Sequence, residues 1–371
     1  MAKRRVILCV GCGGVGKTTI AAAIALAAAR QGKRVLCMTI DPARRLANSL
    51  GLERMATEET TVPRELFAAA GLEVAGELTV VMLDTKRTFD DLVTRHASNA
   101  AARDRILSNR LYRYISTTLA GTQEYMAMEK LLAVQSEGRF DLVVLDTPPT
   151  SNALDFLDAP DRMVGALDSA AMRWFIEAFQ STGRLSLNLV ARSVSVVLRG
   201  IGRLTGGGFL EQMAELITEL DDLFGGFRAR AHAVAAAFRS PEFAYVVVTT
   251  PAPAALREAE FFAERLREQG MSTDALVVNR VHRRPRAQPS DAEVGTALAA
   301  AGIALGEGGV ARLQRALHEE ESLASADTAS LASLERSIGA DRATIRVDVP
   351  ALPGDVHDLG TLAGISTLVG G

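Results

Sequence analysis

Gly11-Cys12-Gly13-Gly14-Val15-Gly16-Lys17-Thr18-Thr19 satisfies the spacing GxxxxGK[ST], and it lies between an apolar run, Arg5 to Val10, and an alanine-rich segment, Ile20 to Ala29. A strand, a glycine loop and a helix in that order make a phosphate-binding loop. The glycines let backbone N–H groups turn inward around phosphate oxygens, and the positive end of the following helix points at the same anion. On this reading Gly13, Gly14, Val15 and Gly16 form the cradle and Lys17 reaches the β- and γ-phosphates. The Thr18 hydroxyl ligates Mg²⁺, and Thr19 contacts the α-phosphate. The expected ligand is a nucleoside triphosphate, ATP, with Mg²⁺.

Outward from the loop, short β-branched runs recur between helical patterns: Arg34 to Ile40, Leu78 to Leu83, Leu142 to Leu145, Tyr245 to Thr249, Ala275 to Val278 and Thr344 to Val349. Several lack polar alternation, as strands covered on both faces do. The pattern predicts an α/β fold, a mostly parallel sheet of the P-loop NTPase type flanked by helices. About a hundred residues without a strand separate the Leu142 and Tyr245 runs, too long for a simple crossover. This predicts a helical insertion subdomain. One helical face there would carry Met163, Leu167, Ala171, Trp174, Phe175 and Ala178, a second Val190, Val194, Val197 and Ile201, and a third Phe209, Met213, Leu216, Ile217, Leu220 and Phe224. The expected organisation is one P-loop domain over 1–371, with helical insertions at about 88–134 and 155–238. A third helical stretch runs from about Gly309 to Ile338, and Arg280 to Pro289 reads as a solvated loop.

Composition narrows the function classes. The chain has 371 residues, 48% hydrophobic and 23% charged, with a formal net charge of -3, so nothing draws it as a whole to nucleic acid. The longest apolar run, Ile20 to Ala29, is well short of the roughly 18–20 residues that span a bilayer. The basic start at Lys3, Arg4 and Arg5 leads into the glycine loop rather than an export signal, so a cytoplasmic location, peripheral to a membrane at most, is expected. Cys9, Cys12 and Cys37 form no CxxC or Cys/His cluster, so free thiols and no structural zinc are expected.

Two carboxylates end apolar strands near the loop. Asp146, in Leu142-Val143-Val144-Leu145-Asp146-Thr147-Pro148-Pro149, can hold Mg²⁺ through water. Asp41 ends the second strand in Thr39-Ile40-Asp41-Pro42-Ala43-Arg44, although a strand-end aspartate can equally be a helix cap.

Together these residues resemble the deviant Walker A ATPases of the ArsA and Get-pathway type, over nearly the whole chain. Gly13-Gly14-Val15-Gly16-Lys17-Thr18-Thr19 matches the family loop, Asp41-Pro42-Ala43 its DPA element, and Asp146-Thr147-Pro148-Pro149-Thr150 its DTAPT switch. Val278-Asn279-Arg280 looks like the adenine-reading segment, and Pro350 to Asp355 like the loop closing over the purine. The resemblance implies an ATPase in which Lys17 and Asp41 are catalytic, with Asp41 orienting the attacking water. Thr18, Asp41 and Asp146 would form the metal set, and Asn279 and Pro350 would contact the base. It also implies a nucleotide-sandwiching dimer and a client, a membrane protein or a membrane-associated complex, held by the helical insertion, although amphipathic faces of this kind also pack into a protein's own core. Gly121-Thr122-Gln123-Glu124 sits where the family has its first switch.

Two departures qualify the likeness. The family loop carries a lysine directly before its two glycines, which reaches the partner's phosphates across the dimer; here Cys12 stands in its place. Such trans cations are worth about 10³–10⁵ in rate where measured as arginine fingers. A homodimer would lack both, whereas a heterodimer with a lysine-bearing, ArsA-like paralogue would complete this chain's own site. Cys12 also reads as a redox-reactive thiol near a helix N-terminus, or simply as a small tolerated side chain. The second departure is that no cysteine lies in the helical insertion, so a metalloid sensor is not expected.

Overall fold

A computed structural model describes residues 4–40, 45–52, 57–110, 112–113, 116, 122–147, 158–159, 162, 165, 230–285, 288–304, 306, 308–337 and 344–370. It divides into two compact units, one of residues 1–81, 141–153 and 244–371, the other of 82–140 and 154–243.

The first unit is built on an eight-stranded sheet: β1 Val6–Val10, β2 Arg34–Thr39, β3 Thr60–Thr61, β4 Glu77–Met82, β5 Leu142–Asp146, β6 Phe243–Thr249, β7 Ala275–Val281 and β8 Ile345–Pro350. Their order is β3-β4-β2-β5-β1-β6-β7-β8. The β1–β5, β2–β5, β6–β7 and β7–β8 pairs are parallel, and the two-residue β3 runs antiparallel to β4. The seven strands read from the sequence are all present, and β3 is an addition at the sheet edge. The β7 strand also runs further than expected, through Arg280 and Val281. Beyond it His282 is no freely solvated loop residue, because its backbone N–H and Nδ1 both meet Asp327 Oδ2, at 2.8 and 2.9 Å.

Burial on both faces explains the unbroken apolar runs. On one face Cys9, Cys37, Leu78, Val80, Val144, Val246, Val248, Val277 and Val349 pack in one core cluster with the helix α1, Lys17–Arg30, and with the C-terminal helix, Leu359–Val369. The alternate residues Val6, Leu8, Leu36, Met38, Val143, Leu145 and Val247 are buried too. A strand with no wet face has no reason to alternate. The α1 helix can lie so close because its inner positions are alanines: Ala21, Ala22, Ala23, Ala25 and Ala29 are fully buried. Arg45–Ser49 forms the short α2, and Arg64–Ala69 forms α3.

In the second unit α4 Thr85–His96, α5 Ala100–Ser108 and α6 Thr122–Glu137 precede β5, and residues 230–238 are helical. Asp84 and Asn99 cap α4 and α5, each accepting a backbone N–H of the first turn at 2.9 Å. Buried Glu129 is compensated from two sides, by the Tyr125 hydroxyl at 2.7 Å and by Arg230 Nε at 2.5 Å. The three apolar faces read between Met163 and Phe224 lie outside the described residues. Helices later in the chain return to the first unit: α7 Pro253–Glu268, α8 Asp291–Ala300, α9 Gly309–Ser337 and α10 Leu359–Val369, the C-terminal helix named above. Among the described residues no helix is long and apolar enough to cross a membrane.

Candidate functional site

The ends of β1, β2 and β5 meet in one row, because Cys9 and Thr39 are both register partners of Asp146. Strand order reverses at β1, which has β5 on one side and β6 on the other. In open α/β sheets the crevice beyond the strand ends at such a switch point is where ligands bind. The chain leaves β1 at Gly11, and there a side chain has no room: a Cβ would stand 2.1 Å from the Val248 carbonyl oxygen of β6.

From Gly11 the loop turns over into α1. Gly14 and Gly16 adopt left-handed conformations, with φ of 80° and 94°, and Gly16 is the N-cap of α1 without any side-chain cap. The first-turn N–H groups are thus left without a side-chain cap, an arrangement that an anion at a helix N-terminus can satisfy. Lys17 is buried, and its Nζ donates to the Cys12 carbonyl oxygen at 2.8 Å. Its charge is thereby held at the loop rather than in solvent.

A cavity of about 340 Å³ opens at this point, lined by Gly14, Gly16, Lys17, Thr18, Thr19, Arg45, Asn48, Ser49, Thr147, Arg280, Asp355, Val356 and His357. That volume falls within the roughly 300–1,000 Å³ of small-molecule sites. The loop residues singled out by the sequence, Gly14, Gly16, Lys17, Thr18 and Thr19, thus share one cavity wall. Arg45, Asn48, Ser49 and His357 carried no local motif and were missed. Pro350 ends β8 opposite Val281, while the cavity wall beyond it is made by 355–357.

Asp146 is fully buried at the end of β5, and its Oδ2 accepts the Thr39 hydroxyl at 2.9 Å. The next residue, Thr147, lines the cavity and ties its own hydroxyl to the Cys9 carbonyl oxygen at 2.8 Å. Burial, and after it the Asp146 charge, push the Cys9 and Cys37 thiols well up. Both stay neutral, so the acceptor at this corner is a hard carboxylate oxygen. Carboxylate and hydroxyl oxygens suit Mg²⁺ better than a soft metal. Among the described residues no three His, Cys, Asp or Glu side chains gather into a metal cluster. Asp41, with Pro42 and Ala43, and Pro148 to Thr150 lie outside the described residues.

Asn279 is placed under the loop itself. Its Nδ2 donates to the Val15 carbonyl oxygen at 2.8 Å, its Oδ1 accepts the Arg280 N–H at 2.9 Å, and the side chain is buried. The tie spans 264 residues of sequence. It leaves the amide one further N–H and one further lone pair, and Asn279 is not among the described residues that line the cavity.

Cys12 is half-buried, and the Glu258 carboxylate of α7 lies near enough for its charge to act on the thiol. Burial raises its pKa first and the Glu258 charge second, against a smaller opposing effect of Lys17. The net shift is away from the stabilised thiolate that the redox reading requires.

Comparison with known proteins agrees with this geometry. The family model for anion-transporting ATPases matches residues 4–293. A putative arsenical pump-driving ATPase 1 of Aquifex aeolicus is 26% identical over 282 residues, covering 75% of this chain and 63% of that protein. An ATPase GET3 of Malassezia globosa is 23% identical over 279 residues, covering 74% and 72%. An uncharacterized protein of Streptomyces coelicolor is 34% identical over 164 residues, covering 44% and 39%. The aligned part spans 63% of the Aquifex relative and 49% of a putative arsenical pump-driving ATPase of Prosthecochloris vibrioformis. With the strand–loop–helix cradle, the buried strand-end aspartate and a family match over most of its length, the chain belongs to the anion-transporting ATPase family.

Proposed function

We propose that this protein binds ATP with Mg²⁺ at the Gly11–Thr19 loop and hydrolyses it. The carrying observation is the loop: left-handed Gly14 and Gly16, buried Lys17 and the uncapped start of α1 converge on one cavity. Gly13, Gly14, Val15 and Gly16 would cradle the phosphates, Lys17 would neutralise the β- and γ-phosphates, and Thr19 would hold the α-phosphate. Thr18, Asp41 and Asp146 would hold Mg²⁺, which when bound offsets charge developing on the phosphate oxygens. Asp41 would orient the attacking water, and Asn279 with Pro350 would receive the base. Buried and tied to Thr39, Asp146 is a fixed anchor, which favours positioning without reorganisation during the reaction.

At the scale of the chain, we propose one ATPase domain over 1–371 whose helical insertions, about 88–134 and 155–238, couple nucleotide state to a membrane-protein client. The active form would be a dimer. A heterodimer with a lysine-bearing paralogue is favoured over a homodimer by Cys12, which stands where the family loop carries its trans cation and cannot supply that charge. A second reading rests on the same residue: alone, the protein is a weak hydrolase acting as a regulatory nucleotide-binding subunit. A role as the ATPase subunit of an anion efflux system requires a membrane partner that co-purifies with the chain.

The decisive assay is Mg²⁺-dependent ATP turnover, with and without a lysine-bearing paralogue, against an Asp41→Asn control. Turnover no higher than that control in either setting would falsify the hydrolase reading. Cys12→Lys then separates the two dimer readings. Because Glu258 would hold a lysine at position 12 in cis, the test includes Cys12→Lys with Glu258→Gln. Higher homodimer turnover in the double variant supports the missing trans cation, and unchanged turnover removes it.

A further inference from the structure

Apart from glycines, Arg280 is the only described residue with positive φ, at 60°. The conformation coincides with a register break, for the β7–β8 pairing slips between Val278 and Val281. In a regular strand neighbouring side chains point to opposite faces. Here the break lets two consecutive residues serve one place: Asn279 holds the Val15 carbonyl of the phosphate loop, while Arg280 lines the cavity that the loop encloses. The Arg280 N–H bond to Asn279 Oδ1, 2.9 Å, locks the kink. Non-glycine residues persist in this region of φ only where the surroundings over-determine them, and such residues cluster at functional sites.

The cavity wall decides what a guanidinium there recognises. Among the described residues Lys17, Arg45 and Arg280 line it, with His357 and one carboxylate, Asp355, and left-handed Gly14 and Gly16 border it. An excess of positive charge beside an uncapped helix N-terminus selects a multiply charged anion. We infer that Arg280 is a nucleotide-contacting residue that grips the polyphosphate chain, held in place by the bulge of β7 and coupled to the phosphate loop through Asn279. This rests on the nucleotide reading of the cavity.

The experiment compares wild type, Arg280→Gly and Arg280→Lys by calorimetric titration with Mg²⁺ and ATP, and by displacement of ATP with inorganic tripolyphosphate. Glycine suits positive φ, so Arg280→Gly folds, with its ligand-free thermal midpoint unchanged or raised by up to about 4 °C. Its affinities for ATP and tripolyphosphate both fall, by about 10- to 100-fold, as expected for loss of a charge-assisted contact to phosphate. Arg280→Lys, with the charge but not the planar fork, lies between. The inference is overturned if Arg280→Gly binds ATP as wild type does. It is equally overturned if that variant loses ATP but not tripolyphosphate, or if tripolyphosphate fails to displace ATP from wild type. A wild-type protein that binds no ATP sinks the nucleotide reading itself, an outcome distinct from the others.

Discussion

A double-variant cycle on Gly16 and Asn279 tests how the phosphate loop is held. In Gly16→Ala the new Cβ meets Asn279 Nδ2 at 2.3 Å, and it must do so at a φ of 94°. The left-handed backbone costs about 1–2 kcal/mol for a residue with a Cβ. Displacing the amide breaks its 2.8 Å bond to the Val15 carbonyl oxygen, and a buried acceptor left unpaired costs about 1–3 kcal/mol. Gly16→Ala should therefore destabilise by about 2–5 kcal/mol in total. Asn279→Ala loses the same bond, about 1–3 kcal/mol, without the backbone term, and loses the Arg280 N–H bond to Oδ1 as well, a further cost common to both variants that lack Asn279. Apart from that common cost, independent effects would sum to about 3–8 kcal/mol in the double variant. The Val15 bond can be lost only once, so about 2–5 kcal/mol is expected on the same basis, a coupling of about 1–3 kcal/mol in which the common cost cancels. Urea unfolding followed by circular dichroism, without nucleotide, measures all four corners, and no adenine contact contributes there. Additivity to within about 0.5 kcal/mol would refute the argument that Asn279 is a strut for the loop.

Two further outcomes follow from named contacts. Of the three cysteines, native protein should be alkylated by iodoacetamide at Cys12 alone, since Cys9 and Cys37 are fully buried with raised pKa values. Glu258→Gln removes a cause of the raised Cys12 pKa, so the reaction at pH 8 should quicken; labelling of Cys9 or Cys37 at a similar rate would contradict the buried placement. At the start of β5, three hydrogen bonds from Arg34, two from its guanidinium and one from its backbone N–H, hold the exposed Asp141 carboxyl down to about 2, from an ordinary 3.8. A depressed carboxyl contributes stability above its unfolded value and loses it as pH falls through the folded one. The contribution is thus present above about pH 4 and fades towards pH 2, and Asp141→Asn should flatten that part of a stability–pH curve measured by urea unfolding.

How much of this was legible in the chain depends on how local each cause is. The strand–loop–helix from Val6 to Arg30 could be read directly, because glycine conformations, apolar run and alanine face all act within a few residues of one another. The other long strands were legible for a similar reason: a strand buried on both faces is apolar throughout. Thr60–Thr61 was not, since two threonines at a sheet edge acquire their pairing only from β4. Asp146 could be found as the polar end of an apolar run. Its Thr39 partner, 107 residues away, could not.

By itself, then, the sequence determined the mostly parallel sheet and the glycine loop with its Lys17, because short-range sterics and burial write themselves into residue order. Tertiary structure alone decided what braces that loop. Asn279 under Val15, Arg280 turned into the cavity wall, and Glu258 against Cys12 each join segments far apart in the chain. Such contacts depend on strand order and on a one-residue break in register, and neither leaves a periodic trace in the residues that make it.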